Sequence, residues 1–217
     1  AAVTKGGVGT LIASGFLKTA AAIVLSPALG FLLGATLVIA VSWTMFRVAA
    51  RRVDRWFRAA QYVSAAFYSL GHGGNDAQKT MGIITGLLVA AGYLEKFEVP
   101  LWVILISHAA IAMGTLFGGW RIVKTMGSKI TKLQPMGGFC AETAAATAIF
   151  AFTKIRGVPI STTHAITGAI LGVGTTRGLR AVRWIWGQRI VMAWILTIPC
   201  SAFIAGITYL VIILLAS

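Results

Sequence analysis

Two short polar segments, each within a long apolar run, carry the side chains that could bind a small ion. The first, residues 71–79, reads GHGGNDAQK, and its Asp76 and Lys79 are the only formal charges within residues 59–94. A carboxylate in the middle of a bilayer costs about 3 kcal/mol on insertion scales, so Asp76 is expected to face a polar cavity or to hold a cation or a proton. Asn75 offers an amide donor and a carbonyl acceptor, which suits contact with an anion or with Na⁺.

The polar residues around Asp76 also have structural interpretations. Lys79 lies three residues further on, where a helix would bring its ammonium to the Asp76 carboxylate, so it either neutralises Asp76 or supplies charge to an anion. Gln78 is a further candidate for the same site. His72 is expected to be a hydrogen-bonded polar residue rather than a proton carrier.

The second segment, residues 159–164, reads PISTTH and is typical of the start of a helix. The first N–H groups of a helix are free and carry partial positive charge, so the hydroxyls of Ser161, Thr162 and Thr163 would lie where an anion is favoured without a fixed cation. The alternative is that these hydroxyls only cap the helix. His164, the last residue of the segment, is a further candidate.

The composition is that of an integral membrane protein. Hydrophobic residues make up 58% and charged residues 11% of the chain, with a mean hydropathy of +0.86, whereas soluble domains carry about 25% charged residues. The period-two alternation of barrel strands is absent, so we predict an all-α membrane protein. Four uncharged segments are long enough to cross or enter a bilayer: residues 19–46, 99–120, 157–176 and 190–217.

Two longer runs have polar centres and are predicted to be interrupted. Residues 59–94 form a run of 36, whereas about 20 residues cross hydrocarbon as one helix, so we predict a broken helix with half-helices meeting at residues 71–74. The run 134–176 contains two basic residues, a glycine and a proline within residues 154–159, and we predict a re-entrant helical hairpin there. Glu142, in its first half, is expected either to ligate a cation or to hold the hairpin.

The net charge of +14 follows the positive-inside pattern rather than a nucleic-acid-binding pattern. Residues 93–100 carry two acidic residues and one lysine, whereas the other connections are basic. We therefore expect the basic loops in the cytoplasm and no nucleic-acid partner. The basic connections contain Arg47, Arg51, Arg52, Arg55, Arg58, Arg121, Lys124, Lys129, Lys132, Arg177, Arg180, Arg183 and Arg189.

Signals for enzymatic chemistry are absent from the sequence. Cys140 and Cys200 have neither metal-ligand nor redox spacing, so both are predicted to be packing residues. We see no nucleophile elbow, Walker loop or metal-ligand cluster. We therefore expect no catalytic residues, no cofactor, and no metal other than Na⁺.

The two polar segments together resemble the signature of the inorganic phosphate transporter (PiT) family, which has a G-x-N-D segment followed by small residues and a later P-x-S-[ST]-T-H segment. Here these read GGNDAQKTMG over residues 73–82 and PISTTH over residues 159–164. The D-x-Q-K form looks like the second copy of the motif in bacterial members. The chain thus resembles the C-terminal repeat of such a protein, with residues 1–217 as a single transmembrane domain and the N-terminal repeat absent.

The resemblance implies one half of an inverted-repeat transporter, in which phosphate and coupling ions sit between two copies of the unit. A second PiT-like half, in the same or another chain, is the implied partner, and a homodimer is a further prediction. The implied activity is symport of inorganic phosphate with Na⁺ or H⁺. We assign phosphate binding to Asn75, Asp76, Ser161, Thr162 and Thr163, cation binding to Asn75, Asp76 and Glu142, and a further candidate role to Gln78, Lys79 and His164.

Two alternative functions remain open at this point. One is a sulfate permease of the same fold, and the other is a half-transporter subunit that does not transport alone. Phosphate is favoured over sulfate because an ionised Asp76 accepts a hydrogen bond from HPO₄²⁻, whereas sulfate has no proton to donate near neutral pH.

Overall fold

The computed structural model describes residues 2–7, 9, 12–153 and 160–216, and within these ranges it confirms the all-α prediction, with no strand. A π-helical segment, Thr125–Ile130, and a 3₁₀ turn, Leu179–Ala181, lie in the connections. The α-helices are α1 (Ala2–Gly6), α2 (Ala13–Thr44), α3 (Ala50–Ala90), α4 (Leu101–Gly118), α5 (Trp120–Lys124), α6 (Pro135–Ala151), α7 (Thr162–Thr175) and α8 (Trp184–Ala216).

Among the described residues, three helices, α2, α4 and α8, are long and apolar enough to cross a membrane. The shortest, α4, has 18 residues and is therefore about 27 Å long, close to the roughly 30 Å of a hydrocarbon core. In α8, none of the residues in the most apolar stretch is buried against the described residues. A helix that is apolar on all sides and exposed in this way is suited to contact with lipid or with further protein.

Helix α3 is continuous over 41 residues, from Ala50 to Ala90, so the break that we predicted at residues 71–74 is wrong. Each glycine lowers helix propensity by about 1 kcal/mol relative to Ala, which is a weak preference that tertiary contacts override. Gly71 is buried and packs against the side chains of Ile149 and Phe150. The polar side chains of this segment find partners while the backbone keeps its helical hydrogen bonds.

Helices α6 and α7 form the predicted hairpin. They contain 17 and 14 residues, or about 25 and 21 Å, so each is shorter than the roughly 30 Å needed to cross the hydrocarbon core. The start of α6 lies beside the end of α7, where Gly137 approaches the side chain of Val173. These lengths favour a re-entrant hairpin over two full spans. Residues 154–159, the predicted turn, lie outside the described residues.

The larger core cluster lies where the hairpin packs against α2, and most of its buried residues are on α6 and α7, six of them alanines. Two glycines of α7, Gly168 and Gly172, meet the backbone of α2 at Pro27 and Phe31. A Cβ atom at Gly168 would overlap the Pro27 carbonyl oxygen. Small residues at four-residue spacing therefore allow close backbone contact between α7 and α2, as in other membrane helix pairs.

The basic connections lie at one end of the bundle. Arg177 donates hydrogen bonds to the Lys132 carbonyl at 3.0 Å and to Gln134 Oε1 at 3.1 Å, which joins two of these connections. The rings of Phe57 and Phe139 are 5.3 Å apart, so the basic start of α3 lies beside the start of α6. This shared end is what the positive-inside pattern requires, and its location in the cytoplasm stays a prediction.

Candidate functional site

The start of α7 is held against the middle of α3 by one side-chain amide. Asn75 is buried, with 2% of its surface exposed. Its Nδ2 donates to the Ile160 carbonyl at 2.7 Å, and its Oδ1 accepts from the Ile160 N–H at 3.2 Å. The amide thereby satisfies both main-chain polar groups of a buried residue that precedes the helix, and it fixes the position of α7 relative to α3.

The Asp76 carboxylate lies at the point where α3 meets the start of α7. Its Oδ1 accepts hydrogen bonds from Lys79 Nζ at 2.8 Å and from Asn75 Nδ2 at 3.0 Å. Its Oδ2 lies 3.2 Å from the Thr162 hydroxyl, which donates to it, and 3.1 Å from His72 Nδ1. An ionised carboxylate has about four lone-pair sites, so these contacts fill them. We call these five residues the Asp76 cluster.

His72 is hydrogen-bonded within this cluster, as its sequence context predicts. Its Nδ1 lies 2.9 Å from the Thr162 hydroxyl oxygen, closer than to Asp76. Because Thr162 donates its own hydrogen to Asp76, its oxygen accepts from an Nδ1–H group, and this network assigns the tautomer. The imidazole ring is parallel to the Tyr68 ring within 1°, at 6.1 Å between centroids.

The first turn of α7 presents free backbone donors beside Asp76. Ser161 is the N-cap residue, and its hydroxyl accepts from the His164 N–H at 3.4 Å, so the capping interpretation holds for this residue. The N–H groups of Thr162 and Thr163 have no acceptor among the described residues, as is usual at a helix start. Thr162 is buried and Thr163 is exposed, so the exposed turn combines a hydroxyl with free amides.

Glu142 lies in a separate polar cluster. Its Oε2 accepts a hydrogen bond from the Ser64 hydroxyl at 2.5 Å, and the Gln61 side chain also contacts the carboxylate. Ser64 and Asp76 are 12 positions apart on α3, a rise of about 18 Å along the helix axis. The structure therefore does not bring Glu142 into the Asp76 cluster. We call Gln61, Ser64 and Glu142 the Glu142 cluster.

Tyr68 lies between the two clusters on α3, and the sequence analysis did not identify it. It lies one turn above Ser64 and one turn below His72 on α3, and it is within electrostatic range of both Asp76 and Glu142. The signal that could have found it is the four-residue spacing of polar side chains at positions 64, 68, 72 and 76, which lie on one face of a helix.

Two further candidates from the sequence lie outside the Asp76 cluster. Gln78 is exposed, and its side chain has no hydrogen-bond partner among the described residues. His164 is buried on another side of α7, where its ring centroid is 3.7 Å from that of Trp194 on α8. Its Nδ1 is 3.4 Å from the Ile23 carbonyl oxygen of α2. The structure thus places His164 in the packing between three helices.

Polar groups that meet at the start of the second helix of a re-entrant hairpin, inside an apolar helical bundle, are typical of secondary transporters. The chain belongs to the phosphate transporter family (PHO4), whose family model matches residues 1–205. The family resemblance seen in the polar segments is thereby confirmed. Because this family consists of transporters, the expectation that the chain is an integral membrane protein and not an enzyme is confirmed as well.

Two bacterial relatives carry the description "probable low-affinity inorganic phosphate transporter". That of Rhizobium meliloti (strain 1021) is 57% identical over 210 residues, covering 96% of this chain and 63% of the relative. That of Bacillus subtilis (strain 168) is 38% identical over 213 residues, covering 98% and 64%. The chain therefore spans less than two thirds of the length of either relative.

A solved structure described as the sodium-dependent phosphate transporter has the same fold. The TM-score is 0.87 at 22% sequence identity, and the match covers 98% of this chain and 70% of the solved chain. At this identity the likeness concerns the helical architecture.

Proposed function

We propose that the chain is the membrane unit of a secondary transporter that carries inorganic phosphate into a bacterial cell across the plasma membrane, together with Na⁺ or H⁺. The observation that carries this proposal is the convergence of Asp76 with the free N-terminal amides of α7 in the interior of an apolar bundle. Family membership and the two relatives described as inorganic phosphate transporters support the choice of phosphate.

Phosphate oxygens would be held by the first turn of α7. This turn offers an anion the hydroxyls of Ser161 and Thr163 and the free N–H groups of Thr162 and Thr163. The partial positive charge of the helix start adds to the attraction. Asn75 contributes by holding α7 in place rather than by donating to phosphate. Both N–H groups of its amide are already used, one by Ile160 and one by Asp76. Lys79 supplies the one full positive charge of the Asp76 cluster when His72 is neutral.

Discrimination between phosphate and sulfate requires that Asp76 accept the proton of HPO₄²⁻. One of its present donors must then withdraw, and the geometry favours His72. Its Nδ1 is 3.1 Å from Asp76 but 2.9 Å from the Thr162 hydroxyl oxygen, so it keeps a hydrogen bond when it leaves Asp76. A fully ionised sulfate would instead present an oxygen to the freed lone pair of Asp76, which is repulsive.

The Glu142 cluster is the proposed site of the coupling ion. A carboxylate, a hydroxyl and an amide supply oxygen atoms of the kind that hard cations prefer, and the carboxylate is also able to take a proton. A second PiT-like half, in the same or another chain, would complete the phosphate site. The match covers 63% and 64% of the two relatives, so each has further chain in which a partner segment would lie.

Uptake measurements test the proposal. The full-length gene product is reconstituted into liposomes, and uptake of ³²P-phosphate is followed under an inward Na⁺ gradient, an inward H⁺ gradient, or neither. We expect uptake that depends on one of the two gradients and that excess sulfate does not suppress. Suppression by sulfate would identify a sulfate permease, and absence of uptake under every gradient would reject the proposed transporter.

A second reconstitution tests the need for a partner half. Residues 1–217 are reconstituted alone and together with a polypeptide that carries the remaining third of a relative such as the Rhizobium meliloti protein. We expect uptake only in the second case. Full uptake by residues 1–217 alone would reject the partner half.

A further inference from the structure

We propose that Lys79 is a tethered counter-ion, whose ammonium takes the position beside Asp76 that a coupling cation would otherwise occupy. The inference rests on the proposed function, since it concerns which carboxylate binds the coupling ion. Lys79 Nζ lies 2.8 Å from Asp76 Oδ1, the length of a charge-assisted hydrogen bond. Asp76 therefore already has a cation, and that cation is part of the chain.

The coordination of Asp76 argues against a free ion at the same carboxylate. Na⁺ binds through oxygen lone pairs, and the four lone-pair sites of this carboxylate face N–H or O–H donors from four different residues. A Na⁺ ion at Oδ1 would displace either Lys79 or Asn75. Displacement of Asn75 would also disturb its bonds to Ile160, and displacement of Lys79 would leave two positive charges beside one carboxylate.

Helical geometry over residues 76–79 of α3 is what holds the lysine in place. Residues three apart on an unbroken helix lie on the same side, so the ion pair forms without any cost of ordering a loop. The side chains of Lys79 and Asp76 are 49% and 28% exposed, so the pair lies at the open side of the cluster, where an anion can reach it.

The Lys79 ammonium can also donate hydrogen bonds to that anion. It has three donors, and among the described residues its only hydrogen-bond acceptor is Asp76. Lys79 can therefore keep its bond to Asp76 and donate a second one to a phosphate oxygen. A coupling cation would bridge the carboxylate and the anion in the same way, so phosphate binding at this cluster does not require Na⁺.

The same reasoning places the coupling ion elsewhere. The chain has five acidic residues, of which Asp54 is paired with Arg58 at 2.9 Å in the basic end and two lie in the connection 93–100. With Asp76 neutralised by Lys79, Glu142 is the acidic residue that remains in the apolar runs. The acidic residues of this chain thus leave one carboxylate in the apolar runs, that of Glu142, for an exchangeable cation.

The test uses two substitutions of Lys79 in the full-length gene product, with Lys96→Ala as a matched control in the exposed connection 93–100. Lys79→Ala removes the ammonium and leaves a space, whereas Lys79→Arg keeps the charge. We expect Lys79→Ala to raise the KM for phosphate about tenfold, the factor for one lost hydrogen bond to a charged group. External ethylammonium should restore the KM, and Na⁺ should do so in part, with the Hill coefficient for Na⁺ rising by one. Lys79→Arg, which keeps the charge in a different geometry, should raise the KM less than Lys79→Ala does and should gain no further Na⁺ dependence. Lys96→Ala should resemble the wild type.

The outcomes separate this inference from the proposed function. If wild-type protein takes up phosphate but Lys79→Ala shows unchanged KM and unchanged Na⁺ dependence, the tethered counter-ion is rejected and the transporter stands. Loss of uptake in Lys79→Ala that neither ethylammonium nor Na⁺ reverses, in protein with wild-type thermal stability, also rejects it. If the wild type takes up no phosphate, the proposed function fails first, and phosphate binding by Lys79→Ala with and without ethylammonium, measured by calorimetry, still decides the role of the lysine.

Discussion

The side chain of Asn75 forms a two-way hydrogen bond with the main chain of Ile160, donating at 2.7 Å and accepting at 3.2 Å. The two residues are 85 positions apart in the sequence. The contact is buried, because Asn75 and Ile160 are 2% and 1% exposed. Ile160 precedes α7 and lacks helical hydrogen bonds, and Asn75 in the middle of α3 supplies partners for its main chain. This amide therefore fixes the position of the candidate phosphate site.

We first predict that Asn75→Ala destabilises the protein. The change leaves the N–H and the carbonyl of Ile160 buried without a partner, at a cost of about 1–3 kcal/mol for each unsatisfied group. Thermal unfolding in detergent measures the loss, with Ser69→Ala as a control at an exposed position of α3. Equal stability of the two variants would show that the amide does not hold the hairpin.

Asp76→Asn is expected to weaken phosphate uptake and to narrow the discrimination against sulfate. An amide in place of the carboxylate offers one acceptor atom and loses the ion pair with Lys79, so it binds the proton of HPO₄²⁻ less well. Uptake of ³²P-phosphate at increasing sulfate concentration measures both effects. Unchanged uptake and unchanged competition would remove Asp76 from the mechanism.

Substitutions of Thr162 and Thr163 are expected to have different effects: the first should lower stability, and the second should weaken phosphate binding. Thr162→Val leaves His72 and Asp76 without their shared hydroxyl in a buried position, and it should cost about 1–3 kcal/mol of stability. Thr163→Val changes an exposed side chain and should shift stability by less than about 0.5 kcal/mol.

Thr163→Val should instead raise the KM for phosphate, because the exposed hydroxyl lies beside the free amides of α7. Uptake kinetics and thermal unfolding, measured on the same preparations, distinguish the two variants. The assignment of Thr163 to the phosphate site would be wrong if its KM matched that of the wild type.

Glu142→Gln is expected to alter the cation dependence of uptake and to leave phosphate binding unchanged. The substitution keeps an acceptor for the Ser64 hydroxyl but removes the charge that would hold a cation or proton. Ser64, the partner of Glu142, lies about 18 Å from Asp76 along α3, so Glu142 does not contact the candidate phosphate site. Phosphate binding by calorimetry and the Na⁺ or pH dependence of uptake are the two measurements, and a loss of phosphate binding would place Glu142 in the phosphate site.

Gly168→Ala is expected to destabilise the contact between α7 and α2. The added methyl group would overlap the Pro27 carbonyl oxygen, and backbone cannot give way as a flexible side chain does. Overpacking of this kind costs about 1–3 kcal/mol. Gly82→Ala is the matched control, because no described atom outside the neighbouring helical backbone lies within 4 Å of its added methyl group. Higher helix propensity should make this variant neutral or slightly stabilising. Thermal unfolding that ranks the two variants the other way would contradict the packing described here.

Local sequence was sufficient for much of the architecture. Long uncharged stretches have to be helices in a bilayer, so the composition alone predicted the all-α class and the spans near α2, α4 and α8. Proline, charge and hydroxyls mark the start of α7, and the positions of basic residues predicted which connections share one end. The two motifs, 73–82 and 159–164, were enough to recognise the family.

Tertiary structure decided how the polar residues are grouped. Glycines at residues 71–74 indicate a break when read locally, but α3 stays helical because partners on α6 and α7 satisfy its polar face. Glu142 pairs with Ser64, 78 positions away, and not with Asp76, because the register between α6 and α3 sets which carboxylate meets which turn. Such a register depends on side-chain packing between helices that are distant in the chain. It therefore cannot be predicted from the sequence periodicity of either helix alone.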